Sequence, residues 1–370
     1  MLPLVDSTKG VDNSHIAFLD GFRGFAALIV VVSHFSNRTM GEVDVDKLLS
    51  GSAAELSFSQ FFQLALGALG SGAGQVGVMI FFMLSAFLMF HLYFEKPPSR
   101  ENLRNFAVGR VARIFPLYYL VVIIAVAMSI LAPFDFINIT LQELPAHLVF
   151  LRGNSVLWTI APELVFYIVF MVVWSCIPRS LWLMSIFALS LILVSNLFPV
   201  VWKSYTLEFF AAGFLLYAYS RSGFRFGFHR MPIFLPPVLF IGLFSLHLPV
   251  IYRTVIGELP MHGWQTTHYV FVVLFLFVLT FESKWLRALF QSRIMAFFGD
   301  IYFSVYLLHL FVLHLLLYYD LREPDIGSLM LAMVLMIALS AAIFRLYEMP
   351  MRLLIRSTFS RKISIATSPV

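Results

Sequence analysis

The sequence predicts an all-α, polytopic membrane protein of about ten transmembrane helices. Three observations predict it. The chain of 370 residues is 60% hydrophobic and only 12% charged, about half the charged share of a soluble domain. Its mean hydropathy is +0.89. Its apolar residues also fall into runs long enough to cross a bilayer, for which about 17–25 residues are needed.

Those runs lie near 17–37, 75–94, 113–132, 157–177, 181–199, 204–220, 232–249, 267–283, 298–319 and 327–346. Pro97-Pro98, Pro133, Pro178, Pro199, Pro236-Pro237 and Pro350 mark several of their edges, since proline ends or interrupts helices. The chain thus divides into an N-terminal segment, 1–16, a transmembrane domain, 17–350, and a basic tail, 351–370. Residues 1 to 15 are polar and no small-residue cleavage site follows the first apolar run, so no cleavable signal peptide is expected.

The basic residues set the expected orientation. The densest cluster, Lys96, Arg100, Arg104, Arg110 and Arg113, follows the second run, and such clusters favour the cytoplasmic side. Alternation then puts Arg221, Arg225, Arg230, Lys284, Arg287, Arg293 and the tail (Arg352, Arg356, Arg361, Lys362) on the same side, with both termini cytoplasmic. The opposite loops are acidic or mixed: Glu42, Asp44, Asp46 and Glu55 in one, Asp320, Glu323 and Asp325 in another. The net charge of +5 is therefore read as topology, and no nucleic-acid partner is expected. The long external loop, 38–72, holds "SQFFQLALGALGSG", mildly amphipathic and suited to the membrane surface.

One cysteine, Cys176, excludes an internal disulfide and a cysteine-based metal cluster; in its apolar run it reads as a small buried hydrophobe. No metal site is expected, because neither HExxH, CxxC nor a His-carboxylate spacing occurs. "GALGSGAGQVG" lacks the Lys-Ser/Thr that a phosphate-cradling loop requires.

The informative residues are polar groups inside apolar runs. "FLDGFRGFAALIVVVSHF", 18–35, carries Asp20, Arg23 and His34, although Asp or Arg at the centre of a span costs about 2.5–3.5 kcal/mol. His34 lies eleven residues after Arg23, roughly 16 Å along a helix. Arg23, Arg110 and Arg113 are expected at the inner face. His34 and Glu163 are expected at a shared depth toward the outside, and His309 near mid-membrane.

An arginine cluster suits a phosphorylated ligand, and a histidine beside a carboxylate suits general-base work. The plainer roles are snorkelling topology determinants for the arginines, helix packing for His34 and structural pairing for Glu163. His247, His262, His268 and His314 lie nearer loops and need only solvation, while Glu208 is structural or lining.

Six phrases resemble the acyltransferase 3 family of membrane acyltransferases, in family order from residue 18 to 352. "LDGFRGFAALIVVVSHF" is similar to its first helix, with Arg23-x10-His34, and "GVMIFFMLSAFLMF" to its second, with Ser85 and with Ala86 where glycine is usual. "GRVARIFPLYYL" resembles the third-helix motif through Arg110, Arg113 and Pro116, Gly109 replacing a frequent arginine. "LWTIAPELVFYIVF" supplies Trp158, Glu163, Phe166 and Tyr167, with Leu164 where a second acid often stands. "GDIYFSVYLLHLFV" gives Ser304, Tyr306 and His309; "YEMPMR" gives Glu348 and Pro350.

The resemblance implies transfer of an acyl group, commonly acetyl, from cytoplasmic acyl-CoA to a hydroxyl of an extracytoplasmic or lipid-linked glycan. It implies the inner (plasma) membrane of a bacterium, envelope-polysaccharide assembly proteins as partners, and no resident metal. On this reading Arg23, Arg110 and Arg113 bind CoA, and His34 takes the hydroxyl proton with Glu163 orienting its ring. Asp20, Ser85, Trp158, Tyr167, Ser304, Tyr306, His309 and Glu348 line the substrate path. Direct attack and a covalent acyl-His34 intermediate are both open. The rival readings are a proton-coupled secondary transporter, which usually shows repeated halves that this chain lacks, and a non-catalytic scaffold, which leaves the buried charges unexplained.

Overall fold

The computed structural model describes residues 14–40, 57–70, 72–131, 137–176, 180–197, 205–257, 267–319 and 325–359, and no strand occurs among them. The acidic loop residues Glu42, Asp44, Asp46, Glu55, Asp320 and Glu323, together with His262, Arg361 and Lys362, lie outside the described residues. Besides short helices at Leu144–Leu148 and Pro249–Ile256, the helices are α1 (Ser14–Met40), α2 (Phe58–Gly70), α3 (Ala73–Tyr93), α4 (Arg100–Leu131), α5 (Ile160–Cys176), α6 (Leu181–Leu197) and α7 (Tyr205–Arg221). They continue as α8 (Leu235–Phe244), α9 (Thr267–Glu282), α10 (Lys284–Phe290), α11 (Arg293–Tyr318), α12 (Ile326–Ile343) and α13 (Met349–Phe359).

Each of the ten apolar runs contains a helix, but they are unequal. Six helices among the described residues are long and apolar enough to cross a membrane. The run at 267–283 forms α9, which just past the run's end turns 96° into α10. Ser283 makes the corner: its backbone is extended and its side chain caps α10 at the Leu286 N–H, leaving a new helix free to start in a new direction. The run at 232–249 gives only α8 and a short 3-10 turn, Ser245–His247.

Helix α3 is apolar all round, as a helix enclosed by others must be, and 16 of its 21 residues are buried. It packs against α1 and α7, and α1 packs in turn against α11. The α1–α11 crossing is close because glycines face each other: a Cβ on Gly299 would sit 2.3 Å from the Asp20 carbonyl oxygen, and one on Gly24 would sit 2.8 Å from the Gly299 nitrogen. Small residues let membrane helix backbones approach in this way. This crossing brings Arg23 and His34 of α1 alongside Tyr302 and His309 of α11.

Two helices run beyond their expected ends. Helix α4 begins at Arg100, with the Ser99 hydroxyl accepting from the Asn102 N–H; Arg110 and Arg113 therefore lie inside the helix and do not open it. Its 32 residues measure about 48 Å at the α-helical rise, more than the hydrocarbon layer. Past α12 the chain does not stop at Pro350. It passes through a π-helical turn, Phe344–Glu348, into α13, which packs on α4. The π turn shifts the hydrogen-bond register just where proline can donate none. Cys176, expected to be buried, is exposed at the last residue of α5, on apolar surface the bundle does not cover.

Between α4 and α5 the chain folds back over the bundle. Arg152 pairs with Glu143 at 2.8 Å, Tyr118 donates to the His147 carbonyl at 2.9 Å, and the Asn154 amide donates to the Asn138 carbonyl at 2.6 Å. The His147 ring is fully buried and neither of its nitrogens has a partner. Burial lowers its pKa below the ordinary 6.5, the nearby Glu143 carboxylate pulling the other way and Arg152 reinforcing burial.

A histidine held neutral in the folded state contributes stability that is complete above its unfolded pKa and is lost as pH falls below it. Amide protection in residues 137–152 should therefore weaken below about pH 6.5 and stay constant from pH 7 to 8. His147→Leu should remove that dependence, as hydrogen exchange across this pH range would show.

Candidate active site

A cavity opens where α1, α3, α4, α5 and α11 converge, lined among others by Arg23, Ser85, Arg113, Glu163, Tyr302 and Tyr306. Tyr302 organises its charged end. The Arg113 guanidinium donates a short hydrogen bond to the Tyr302 hydroxyl and its carbon lies 5.1 Å from the ring centroid; that of Arg23 lies 5.4 Å from the same centroid. Guanidinium groups are favoured over aromatic faces at this range. Phe81 stacks on the ring at 5.4 Å. Arg23 is also tied to Asp20, at 3.3 Å. Two cations thus share one tyrosine at the edge of the cavity, with donor groups left for an anion.

Glu163 belongs to this charged end. It accepts from the Ser85 hydroxyl at 2.9 Å and, in a short bond, from the Tyr167 hydroxyl. Tyr167, one turn along α5, places its ring 5.6 Å from the Arg110 guanidinium carbon, which lies equally far from the Phe106 ring. Arg110 therefore supports the acidic group through Tyr167, and it does not line the cavity beside Arg23 and Arg113.

The expected pairing of Glu163 with His34 is not formed. The His34 Nδ1 instead meets the Val30 carbonyl at 2.9 Å, and its ring lies 4.9 Å from that of His309, centroid to centroid. Glu163 lies at the arginine end of the cavity, so the depth it was expected to share with His34 is not kept. The orienting group is α1's own backbone, four residues back. A carbonyl only accepts, so in neutral His34 the hydrogen sits on Nδ1 and the basic lone pair on Nε2.

His309, on α11, is fully buried beside it. The stripe Tyr302, Tyr306, His309 follows one face of α11 at helical spacing, and the Tyr306 ring lies 6.2 Å from that of His309. Tyr306 both lines the cavity and stands next to the histidine pair; its hydroxyl donates to the Val156 carbonyl at 3.1 Å and lies 3.2 Å from the Thr159 hydroxyl. The geometry is a charged end and a basic end on one helix seam, joined by tyrosines.

The remaining expected residues fall outside this line. Ser304 donates to Glu348 at 2.6 Å, a buried pair that fixes the π turn against α11, and neither lines the cavity. Trp158 packs edge-on against Phe82 at 6.2 Å. Sequence reasoning missed Tyr302, although its position four residues before Tyr306 was the available signal. It also missed Arg38, whose guanidinium donates to the His314 Nε2 at 2.8 Å, one turn beyond His34. His314 is thus bonded, as is His247, buried with its ring nitrogens 2.6 Å from the Phe244 carbonyl and 3.1 Å from that of Ala68. His268 meets the Tyr252 hydroxyl at 2.8 Å. Glu208 is buried on α7.

A family model described as an acyltransferase domain matches residues 16–345, from the first described turns of α1 through α12. No curated protein and no solved structure gives a significant match.

Proposed function

The chain belongs to the acyltransferase 3 family, and from that premise we propose that it moves an acyl group from acyl-CoA to a hydroxyl of an extracytoplasmic or lipid-linked glycan. Acetyl is the first choice of acyl group. The observation that carries the reading is the pair of guanidiniums over Tyr302, Arg23 and Arg113, on the same α1–α11 seam as a histidine with an open Nε2. Phosphates of the donor meet the arginines through charge-assisted hydrogen bonds. The thin pantetheine arm then carries the thioester along the seam past Tyr306. His34 takes the proton of the acceptor hydroxyl as its oxygen attacks the thioester carbonyl, and Glu163 balances Arg113 while holding Ser85 and Tyr167 in place.

In this reading both termini face the cytoplasm, and the arginine end of the seam lies on that side. The setting is the inner membrane of a bacterium, and envelope-polysaccharide assembly proteins are the natural partners.

The test is to incubate purified protein with acetyl-CoA labelled in the acetyl group, together with an envelope glycolipid fraction. The expected product is glycolipid carrying label that mild alkali releases, as an O-ester requires, with stoichiometric free thiol. Liposomes that consume no thioester but move protons and a solute together would favour a transporter instead.

A further inference from the structure

The histidine pair holds more than one catalytic base needs. The His34 Nδ1 lies 2.9 Å from the Val30 carbonyl, and the His309 Nδ1 lies 2.8 Å from that of Tyr306 and 3.2 Å from that of Val305. Each Nδ1 must donate, so in both neutral rings Nε2 is a bare lone pair. The Nδ1 edge of each ring is turned to its own helix, and the rings contact across the seam with centroids 4.9 Å apart and planes at 59°. His309 is 0% exposed, and its Nε2 has no partner. Buried polar atoms are ordinarily satisfied, and an exception calls for a cause.

The neighbours do not supply a proton for it. Tyr306 gives its hydroxyl hydrogen to Val156, and Arg38, the cation one turn along α1, donates to His314. What satisfies both lone pairs at once is a single added proton.

We propose that His34 and His309 share one proton during acyl transfer, His309 being the positioning residue that keeps it near His34. The inference rests on the acyl-transfer reading above. As the acceptor oxygen bonds to the thioester carbonyl carbon, its proton passes to the His34 Nε2. The resulting imidazolium donates to the His309 Nε2, which holds the charge in place without solvent. When the carbon–sulfur bond breaks, its electron pair leaves on sulfur, and the proton returns through His34 to that thiolate. The products are the O-ester and free CoA thiol, and the pair is neutral again. His309 thereby stabilises a cation that would otherwise form alone in an apolar seam.

The test uses His309→Gln in the full chain, since glutamine keeps hydrogen-bonding capacity but takes up no proton. Turnover of acetyl-CoA with acceptor should fall roughly 10- to 100-fold, less than the about 10²- to 10⁴-fold of a general acid–base group removed outright. Binding of a non-transferable thioether analogue should be unchanged, which also shows that the variant is folded; His309→Asn serves if it is not. The discriminating readout is the rate against the fraction of heavy water. Wild type should give a straight plot, with one proton in motion, and the variant a straight plot of smaller slope, because its proton is no longer held between two ring nitrogens.

A variant with full turnover, or with the wild-type slope, overturns the shared proton alone. Wild-type protein that consumes no thioester overturns the acyl-transfer reading, and this proposal with it.

Discussion

Replacing His34 with alanine should abolish acyl transfer while leaving donor binding nearly intact. The loss expected for a positioned base is about 10²- to 10⁴-fold in turnover, and the hydroxyl and carboxyl groups of the cavity are already committed. Glu163 is committed to Ser85 and Tyr167, and Tyr306 gives its hydrogen to Val156. Donor affinity should hold because Arg23 lies eleven residues before His34 on α1, roughly 16 Å along the helix, and Arg113 of α4 shares the Tyr302 ring with it. Steady-state turnover and binding of a thioether analogue, measured on the same preparation, separate the two effects. Normal turnover by His34→Ala would remove the base from the account.

Arg113→Ala should do the reverse, weakening donor binding far more than it slows the bound complex. A hydrogen bond to a charged group contributes about 1.5–3 kcal/mol, so affinity for acyl-CoA should fall about 10- to 150-fold. Arg113 also holds Tyr302 by a hydrogen bond and lies over its ring, so its removal should loosen the ring that Arg23 shares. Arg113→Lys keeps the charge but loses the planar fork, and its affinity should fall between the two. Calorimetric titration with the same analogue checks the order wild type, lysine, alanine. Equal affinities would return Arg113 to a topology role.

Much of this arrangement was legible in the sequence, and the misses have physical causes. Ten apolar runs located ten helical segments because burial and lipid both demand apolar surface. The expected run ended at 283, where the corner lies, but it did not reveal that a second helix, α10, starts there in a new direction after one extended residue. Hydropathy also placed the start of the third span at Arg113, since it penalises charge; arginine is a good helix former, and Ser99 caps the true start.

Within the site, the intramembrane polar residues were the right ones to notice, but depth alone misassigned a partner. The level expected to be shared by His34 and Glu163 is not kept: Glu163 lines the cavity with Arg23 and Arg113, while the tight glycine crossing of α1 on α11 sets His34 beside His309. Tyr302 went unnoticed because an aromatic in a span looks like packing. Only the two guanidiniums over its ring distinguish it.

The central claim is that the donor's acyl arm runs along the α1–α11 seam from the arginines toward His34. A CoA thioether bearing a photoreactive diazirine at the end of a short acyl chain tests it directly, with the labelled peptides mapped by mass spectrometry. The account predicts label on α11 between Tyr302 and His309 and on α1 near His34, displaced by excess acetyl-CoA and strongly reduced in Arg113→Ala. Label confined to other helices, or label indifferent to acetyl-CoA, would contradict it.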